Sequence, residues 1–421
     1  MNAESRKIQR TYLLLLLLHT LAASFIWGIN TLFLLDAGMT NAQAFAANAF
    51  FTLGMMLFEV PTGVVADTRG RRMSYLLGTL TLTISTLLYL WMWRITAPFW
   101  AWAVTSVFLG LGFTFFSGAF QAWLVDALRA TGFDGPLEPV FAKGEIVEGI
   151  AMLTGSVAGG LLAQTFNLGV PYVVRAVVLG ASFVLAFLLM RDVGFEPQPG
   201  KRPVEEVKRV LKGSIRHGLG NPPARWVMLA APFTDGLTIY AFYAMQPYLL
   251  QLYGNPNAYG IAGLAAAIVA GAQIAGGLVA PHIAKVFQRR TTVLLTATLV
   301  SAAILGMIGV FRNFWAAVAL LVIWSLMFAA IVPVRQSYLN AVIPSGQRAT
   351  VLSFDSLLGS GGGVVLQPGL GKVADVWGYP VSYLACAGVQ LLAAPFLWLA
   401  RRERARADST AVEAKQEEPA S

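Results

Sequence analysis

The chain has 421 residues, of which 57% are hydrophobic and 12% charged, with a net charge of +9 and a mean hydropathy of +0.64. Soluble domains carry about a quarter charged residues, so this composition excludes an ordinary soluble enzyme and a disordered chain alike. The apolar residues fall in blocks of about twenty, the length that crosses roughly 30 Å of hydrocarbon.

Twelve such blocks are predicted: six near residues 11–35, 41–66, 73–93, 97–126, 141–166 and 169–190, and six near 225–253, 257–284, 291–311, 313–343, 348–374 and 379–400. Residues 1–10, with Arg6, Lys7 and Arg10, precede the leucine run Leu13 to Leu18 in the manner of a signal peptide. Apolar character continues past Ser24 to Leu35, too long for a signal core, so a retained first span is expected. The expected organisation is a short N-terminus (1–10), a six-helix bundle (11–190), a central loop (191–224), a second bundle (225–400) and a disordered charged tail (401–421). Within the central loop Val204, Val207, Val210, Leu211 and Ile215 recur at helical spacing against Glu205, Lys208, Arg209 and Lys212, which predicts a surface amphipathic helix.

Placement of the 30 basic residues sets the orientation. With both termini inside, 25 of them lie in inside segments, whereas outside loops hold only Arg94, Arg312 and Lys372, and Arg175 and Arg335 fall within spans. This bias predicts cytoplasmic N- and C-termini in a cell inner (plasma) membrane. The basic residues are thus topology markers, and no nucleic-acid partner is expected. Cys386 stands alone, and His19, His217 and His282 are too scattered for a metal cluster, so no metal or other cofactor is expected. Gly369-Leu-Gly371-Lys372 is followed by Val373 rather than Ser or Thr, which argues against a nucleotide loop. No enzyme activity is expected.

Between spans two and three lies Gly63-Val-Val-Ala-Asp67-Thr-Arg-Gly70-Arg71-Arg72. Gly63 and Gly70 permit a close helix contact and a tight turn, and Asp67 is placed where a carboxylate meets the positive end of another helix. Simple anchoring by Arg69, Arg71 and Arg72 is the bland reading, but an anchor has no need of an acid between the glycines. A related glycine and basic pair, Gly277 through Arg289-Arg290, follows the second span of the second half, so the halves read as repeats.

Six plus six spans, a long central loop and Gly-x-x-x-Asp-x-x-Gly-Arg-Arg after span two resemble the major facilitator superfamily. That resemblance implies twelve transmembrane helices in two pseudo-symmetric six-helix bundles. Phe58-Glu59-Val60-Pro61-Thr62-Gly63 is similar to drug-efflux-like members. The resemblance implies that Asp67 faces the start of span eleven and that Arg71 pairs with Asp126 in Trp123-Leu-Val-Asp126, so that Gly63, Asp67, Gly70, Arg71, Arg72 and Asp126 form a gating latch. Gly155-Ser156-Val-Ala-Gly159-Gly160 in span five resembles the antiporter motif Gly-Pro-x-x-Gly-Gly, with serine in place of proline. Close helix packing through Gly155, Gly159 and Gly160 is the competing reading.

Ionisable residues inside spans are functional candidates, because hydrocarbon otherwise excludes them. Proton-coupling candidates are Asp235, His19 as its repeat counterpart, Glu148, Asp355 and Glu59; Glu145 is expected to be solvated, and Asp355 either pairs with Arg335 or gates. Trp27, Asn30, Gln121, Tyr240, Tyr243, Gln246 and Arg335 are candidate substrate contacts, a mixture of aromatic faces and hydrogen-bonding groups. The expected function is alternating-access transport, proton-coupled efflux of small amphipathic molecules by a monomer in the lipid bilayer. Import of a nutrient or metabolite and lipid translocation are alternatives within transport, and a non-transporting sensor is the rival of another class.

Overall fold

The computed structural model describes residues 1–197 and 203–409. It is 86% helical and has no strands among the described residues. Among the described residues, ten helical segments are long and apolar enough to cross a membrane. One of them, Thr350–Arg402, is 53 residues long, and Gly378 interrupts it at φ 80° and ψ 168°, so this segment changes direction there. A 32-residue helix, α10 (Pro222–Tyr253), is absent from the ten. Thr234, Asp235, Gln246 and four tyrosines lower its hydropathy, a composition that suits a helix lined on one side by polar partners.

The chain divides into two compact units. The first comprises Met1–Val207 with Asn255–Ala267; the second comprises Lys208–Gly254 and the described residues from Ile268 on.

In the first unit, α1 (Ala3–Trp27) starts where the Asn2 side chain accepts the backbone N–H of Ser5, earlier than hydropathy alone suggests. The first span is broken at Gly28-Ile29 and resumes as α2 (Asn30–Asp36). α3 (Asn41–Arg69) opens on a capping box between Thr40 and Gln43, and α4 (Arg71–Ile95) follows after the single residue Gly70. The fourth span is broken too, into α5 (Phe99–Thr114) and α6 (Ala119–Ala130), with Gly118 at φ 66°. α7 (Glu138–Thr165) and α8 (Val170–Leu189) complete the unit's long helices. Its core joins Tyr12, Leu15, Tyr75, Phe120, Trp123, Leu124 and Leu128. α7 crosses α1 on small residues: a Cβ at Gly159 would collide with the Phe25 carbonyl oxygen, and one at Gly155 would lie 2.6 Å from Ser24 Cβ. At Gly160 a Cβ would lie 2.9 Å from Gly263 Cα, in the first turns of α11 (Tyr259–Val286). All three glycines of this segment therefore sit at backbone-close crossings, where dispersion contacts substitute for the missing hydrophobic drive.

The second unit contains α10, α12 (Arg290–Val310), α13 (Phe314–Val342), α14 (Arg348–Leu391) and α15 (Ala393–Arg402). In the central loop lies a helix, α9 (Pro203–Ser214), whose residues up to Val207 belong to the first unit and on which Glu205, Val207, Lys208 and Lys212 are exposed. The core gathers Val227, Met228, Leu294, Tyr338, Leu339, Val351 and Leu397. The tail expected to be disordered from residue 401 is folded at its start: α15 continues to Arg402, and Asp408, only 3% exposed, accepts from the backbone N–H and the hydroxyl of Thr291, both at 2.8 Å. These bonds offset the ordering entropy of the segment, which composition alone does not reveal. Residues 410–421 lie outside the described residues, as do Pro199 and the side chains of Val204, Arg209, Val210, Leu211 and His282.

Candidate functional site

Three charges meet inside the apolar second unit. Arg335 on α13 forks onto Asp355 on α14, with Nη1 donating to Oδ2 at 2.6 Å and Nη2 donating to Oδ1 at 2.7 Å. Asp235 on α10 lies alongside, its Oδ2 3.5 Å from the same Nη1. Asp355 is 5% exposed. The planar guanidinium fits a carboxylate edge-on with two parallel bonds, and each charge in hydrocarbon needs such a partner. One arginine against two carboxylates leaves the cluster with one formal negative charge when both acids are ionised. A single proton neutralises it.

A cavity of about 60 Å³ borders this cluster, lined by Thr234, Asp235, Thr298, Ser301, Arg335 and Gln390 on its polar side. Its size and this cluster of polar groups within a mostly apolar wall suit one or a few water molecules. Proline helps to shape the wall: Pro232 lies within α10, three residues before Asp235, and its Cα and carbonyl approach Gly362 of α14 so closely that a Cβ there would overlap them. Gly359 of α14 faces Asp235 itself: a Cβ built on it would lie 3.1 Å from the Asp235 Cβ. The glycines of α14 thus let α10 bring Asp235 up to Arg335.

In the first unit, Arg71 Nη1 donates to Asp67 Oδ1 at 2.6 Å, four residues back across the turn at Gly70, and Arg71 Nε stands 3.8 Å from Asp126 Oδ2. The latch residues Asp67, Arg71 and Asp126 therefore share one neighbourhood, with the tighter bond inside the motif. Gly70 adopts φ 105°, a region that L side chains rarely enter, and a Cβ on it would run into Asp192. Asp192 Oδ1 accepts the Arg72 backbone N–H at 2.8 Å. Arg72 spreads over the Phe187 ring at 4.9 Å and donates to the Phe187 carbonyl at 2.7 Å. Gly63 has open space around its would-be Cβ. Asp192 belongs to this site although the motif does not contain it. Its signal in the sequence is an acid directly after the sixth span.

The remaining candidates are dispersed. His19 is half-buried and lies over Phe116 with ring centroids 4.1 Å apart, and its Nδ1 has no hydrogen-bond partner. Arg175 is buried nearby, donating to Thr86 and to the Ala22 carbonyl and covering the Phe113 ring. Glu59 accepts from Ser117 Oγ at 2.5 Å beside the break in the fourth span. Glu145 is exposed and Glu148 half-buried on α7. Asn30 donates to Asn48 and accepts from Tyr172, each at 2.9 Å. Trp27 and Tyr243 are half-buried, Gln121 is exposed, and Gln246 is buried. Tyr240 is fully buried, with its hydroxyl on the Leu370 carbonyl and Ser382, so it joins α10 to α14.

Comparison with known proteins decides the family. The chain matches the Major Facilitator Superfamily over residues 12–282 and 230–421. It belongs to that superfamily. An uncharacterised MFS-type transporter of Methanocaldococcus jannaschii is 21% identical over 194 residues, 45% of this chain and 47% of that protein. The chain thus spans about half the length of the curated relative it matches. Among solved structures, a variant of the nucleoside transporter NupG aligns with TM-score 0.76 at 14% identity, over 93% of this chain and 99% of that one. A bacterial homologue of the human lysosomal transporter Spinster, inward-facing and unoccupied, aligns with TM-score 0.71 at 16% identity over 97% and 99%. The peptide transporter POT in complex with sulfate aligns with TM-score 0.72 at 13% identity, over 96% of each chain. At such identities the likeness carries the fold: this member of the superfamily is an all-helical, multi-pass membrane protein.

Proposed function

We propose that this protein is a secondary transporter working by alternating access, driven by protons and exporting small amphipathic molecules, with Asp235, Arg335 and Asp355 as its coupling centre. The observation that carries the reading is the two-pronged Arg335–Asp355 pair with Asp235 3.5 Å from the same nitrogen. In this reading Asp235 exchanges the proton, because Asp355 already holds both of its oxygens on the guanidinium, and the bordering cavity, with Thr298, Ser301 and Gln390 in its wall, is the route. Protonation of Asp235 leaves Arg335–Asp355 as a neutral pair, which lowers the cost of moving the cluster through a low-dielectric setting. Release of the proton restores the negative charge and completes the cycle. Twelve spans, cytoplasmic termini and a monomer in the inner membrane belong to the same proposal, supported by the 25 inside basic residues. A proton gradient of 100 mV is worth about 2.3 kcal/mol per charge, enough for roughly fifty-fold accumulation.

The test is purified protein in liposomes with an imposed pH gradient and an amphipathic dye. Gradient-driven dye movement against its own gradient is expected, and Asp235→Asn removes it while leaving dye counterflow. Movement indifferent to the gradient sinks proton coupling, and no movement across a broad panel sinks transport in favour of a sensor. Import serves as the second reading, because the aligned structures include nucleoside and peptide transporters; the sign of the gradient that drives uptake separates the two.

A further inference from the structure

A cleft of about 110 Å³ opens in the first unit between the N-terminal end of α1 and the segment that follows α8. One wall is a single face of α1, where Glu4, Lys7, Ile8 and Thr11 recur at helical spacing. The other holds Leu188, Leu189 and Arg191, with Trp123 at the back. Trp123 is 2% exposed and donates its indole N–H to the Arg191 carbonyl at 2.7 Å. That bond fixes the chain so that Asp192 turns inward onto Arg72, as described above, while the Arg191 side chain stays exposed. Neither Lys7 nor Arg191 forms an ion pair among the described residues. Two cations against the one carboxylate of Glu4 leave the cleft positive, and Arg6 and Arg10 stand exposed on the same helix.

The surface leading to the cleft is apolar. On α8, Val173, Val177, Val184 and Leu188 are 49%, 66%, 53% and 62% exposed, at spacings that place them along one side of the helix. From Val173 to Leu188 this stripe runs about 22 Å at the helical rise, more than half of the roughly 30 Å hydrocarbon core. A charged cleft at the head of such a stripe matches a molecule with an anionic head and long apolar tails. Free phosphate satisfies the cations and leaves the stripe unused.

We propose that this cleft binds the headgroup of an anionic phospholipid, with its phosphate between Lys7 and Arg191 and an acyl chain along α8. Basic pockets at helix ends on the cytoplasmic side take such headgroups by charge and shape. The inference rests on the proposed orientation, which puts this end of α1 at the anionic leaflet, and not on the coupling centre or on transport itself. Because the segment from Met190 to Val193 links the cleft to Asp192 and thus to the start of α4, a bound lipid also braces the turn at Gly70.

The experiment is lipid titration of the detergent-purified full-length protein, read by native mass spectrometry, with phosphatidylglycerol, phosphatidylcholine and inorganic phosphate as separate probes. Phosphatidylglycerol binds the wild type in preference to phosphatidylcholine. Lys7→Gln with Arg191→Gln weakens it by roughly tenfold or more, as the loss of two juxtamembrane cations requires, and Glu4→Gln tightens it. Both cations are exposed, so melting of the lipid-free variant matches the wild type. Lys143→Gln, which removes an exposed cation outside the cleft, leaves binding unchanged. Equal phosphatidylglycerol binding by wild type and double variant overturns the site, as does an equal loss in Lys143→Gln, which reduces the effect to net charge. Equal binding of phosphatidylcholine overturns the need for an anion. Inorganic phosphate competing at the same concentration overturns the lipid in favour of a simple anion site. Failed transport in liposomes alongside the expected lipid preference leaves this inference standing and sinks only the proposed function.

Discussion

Asp192, just beyond the last turn of α8, accepts the backbone N–H of Arg72 at 2.8 Å and so closes the start of α4. The second unit repeats the arrangement: Asp408, beyond α15, accepts the backbone N–H of Thr291 at 2.8 Å at the start of α12. In each unit an acid that follows the final long helix caps the helix after the glycine and basic cluster. The first N–H groups of a helix have no intrahelical acceptor, and an aspartate supplies one while meeting the positive end of the dipole. Recurrence of the device in both units supports the internal duplication suggested by Gly63 to Arg72 and Gly277 to Arg290.

Asp192→Ala is expected to lower stability by about 0.5–2 kcal/mol, the ordinary loss of a cap, and Asp408→Ala to do the same or more because its carboxylate serves two bonds. Thermal melting in detergent measures both. Wild-type melting in either variant refutes the capping role.

The Asp192 comparison with Asn also has a pH signature. Burial pushes its carboxyl above the usual range, outweighing the bonds and charges of Arg72 and Arg71. A folded state that holds the proton more tightly gains stability below the unfolded value of about 3.9, and that gain is lost as pH rises through the higher folded value. Asp192→Asn keeps an acceptor and carries no charge, so the wild type's stability relative to it falls as pH rises through the acidic range. A difference that is flat or grows with pH contradicts this.

In the proposed coupling centre, Asp355→Asn leaves Arg335 with one bond fewer and only Asp235 as counter-charge, and loss of a buried partner costs about 3–5 kcal/mol. Low expression or early melting is expected. Arg335→Leu combined with Asp355→Leu removes both charges and restores folded yield without restoring gradient-driven transport. Recovery of accumulation in that double variant, read in liposomes, excludes the cluster from coupling.

How much of this was legible in the sequence depends on whether the signal was local. Most of the apolar spans are, because hydropathy over twenty residues is a property of one segment. The breaks at Gly28 and Gly118 are not, since a glycine in an apolar run has the same hydropathy whether or not the helix turns there. The pairing of Arg335 with Asp355 was one of two readings the sequence offered, since neither tolerates hydrocarbon alone, whereas the approach of Asp235 depends on how Gly359 and Gly362 let α10 close on α14. Asp192 lies 120 residues from Arg72, outside any motif window. The latch residues Asp67, Arg71 and Asp126 were named from resemblance, and the preference of Arg71 for Asp67 emerges only from geometry.

That preference orders the latch variants. Arg71 is 2.6 Å from Asp67 and 3.8 Å from Asp126, so Asp67→Ala is expected to slow turnover more than Asp126→Ala. Arg71→Ala with Asp126→Ala is expected to be no worse than Arg71→Ala alone, the mark of coupled partners. Additive losses in initial transport rates argue against the pair.

The glycines of the first unit supply a final contrast, in which two positions of the same residue type respond oppositely. A methyl on Gly159 meets the Phe25 carbonyl with no flexible side chain to yield, so α7 and α1 must separate; overpacking of this kind costs about 1–3 kcal/mol. A methyl on Gly63 has nothing within 4 Å, and alanine favours a helix interior over glycine by up to about 1 kcal/mol. Gly159→Ala is therefore expected to melt early and Gly63→Ala to melt at or above the wild type, measured side by side in the same detergent. If Gly63→Ala melts normally yet turns over slowly, Gly63 serves a contact made elsewhere in the transport cycle, which separates its role in motion from any role in folding.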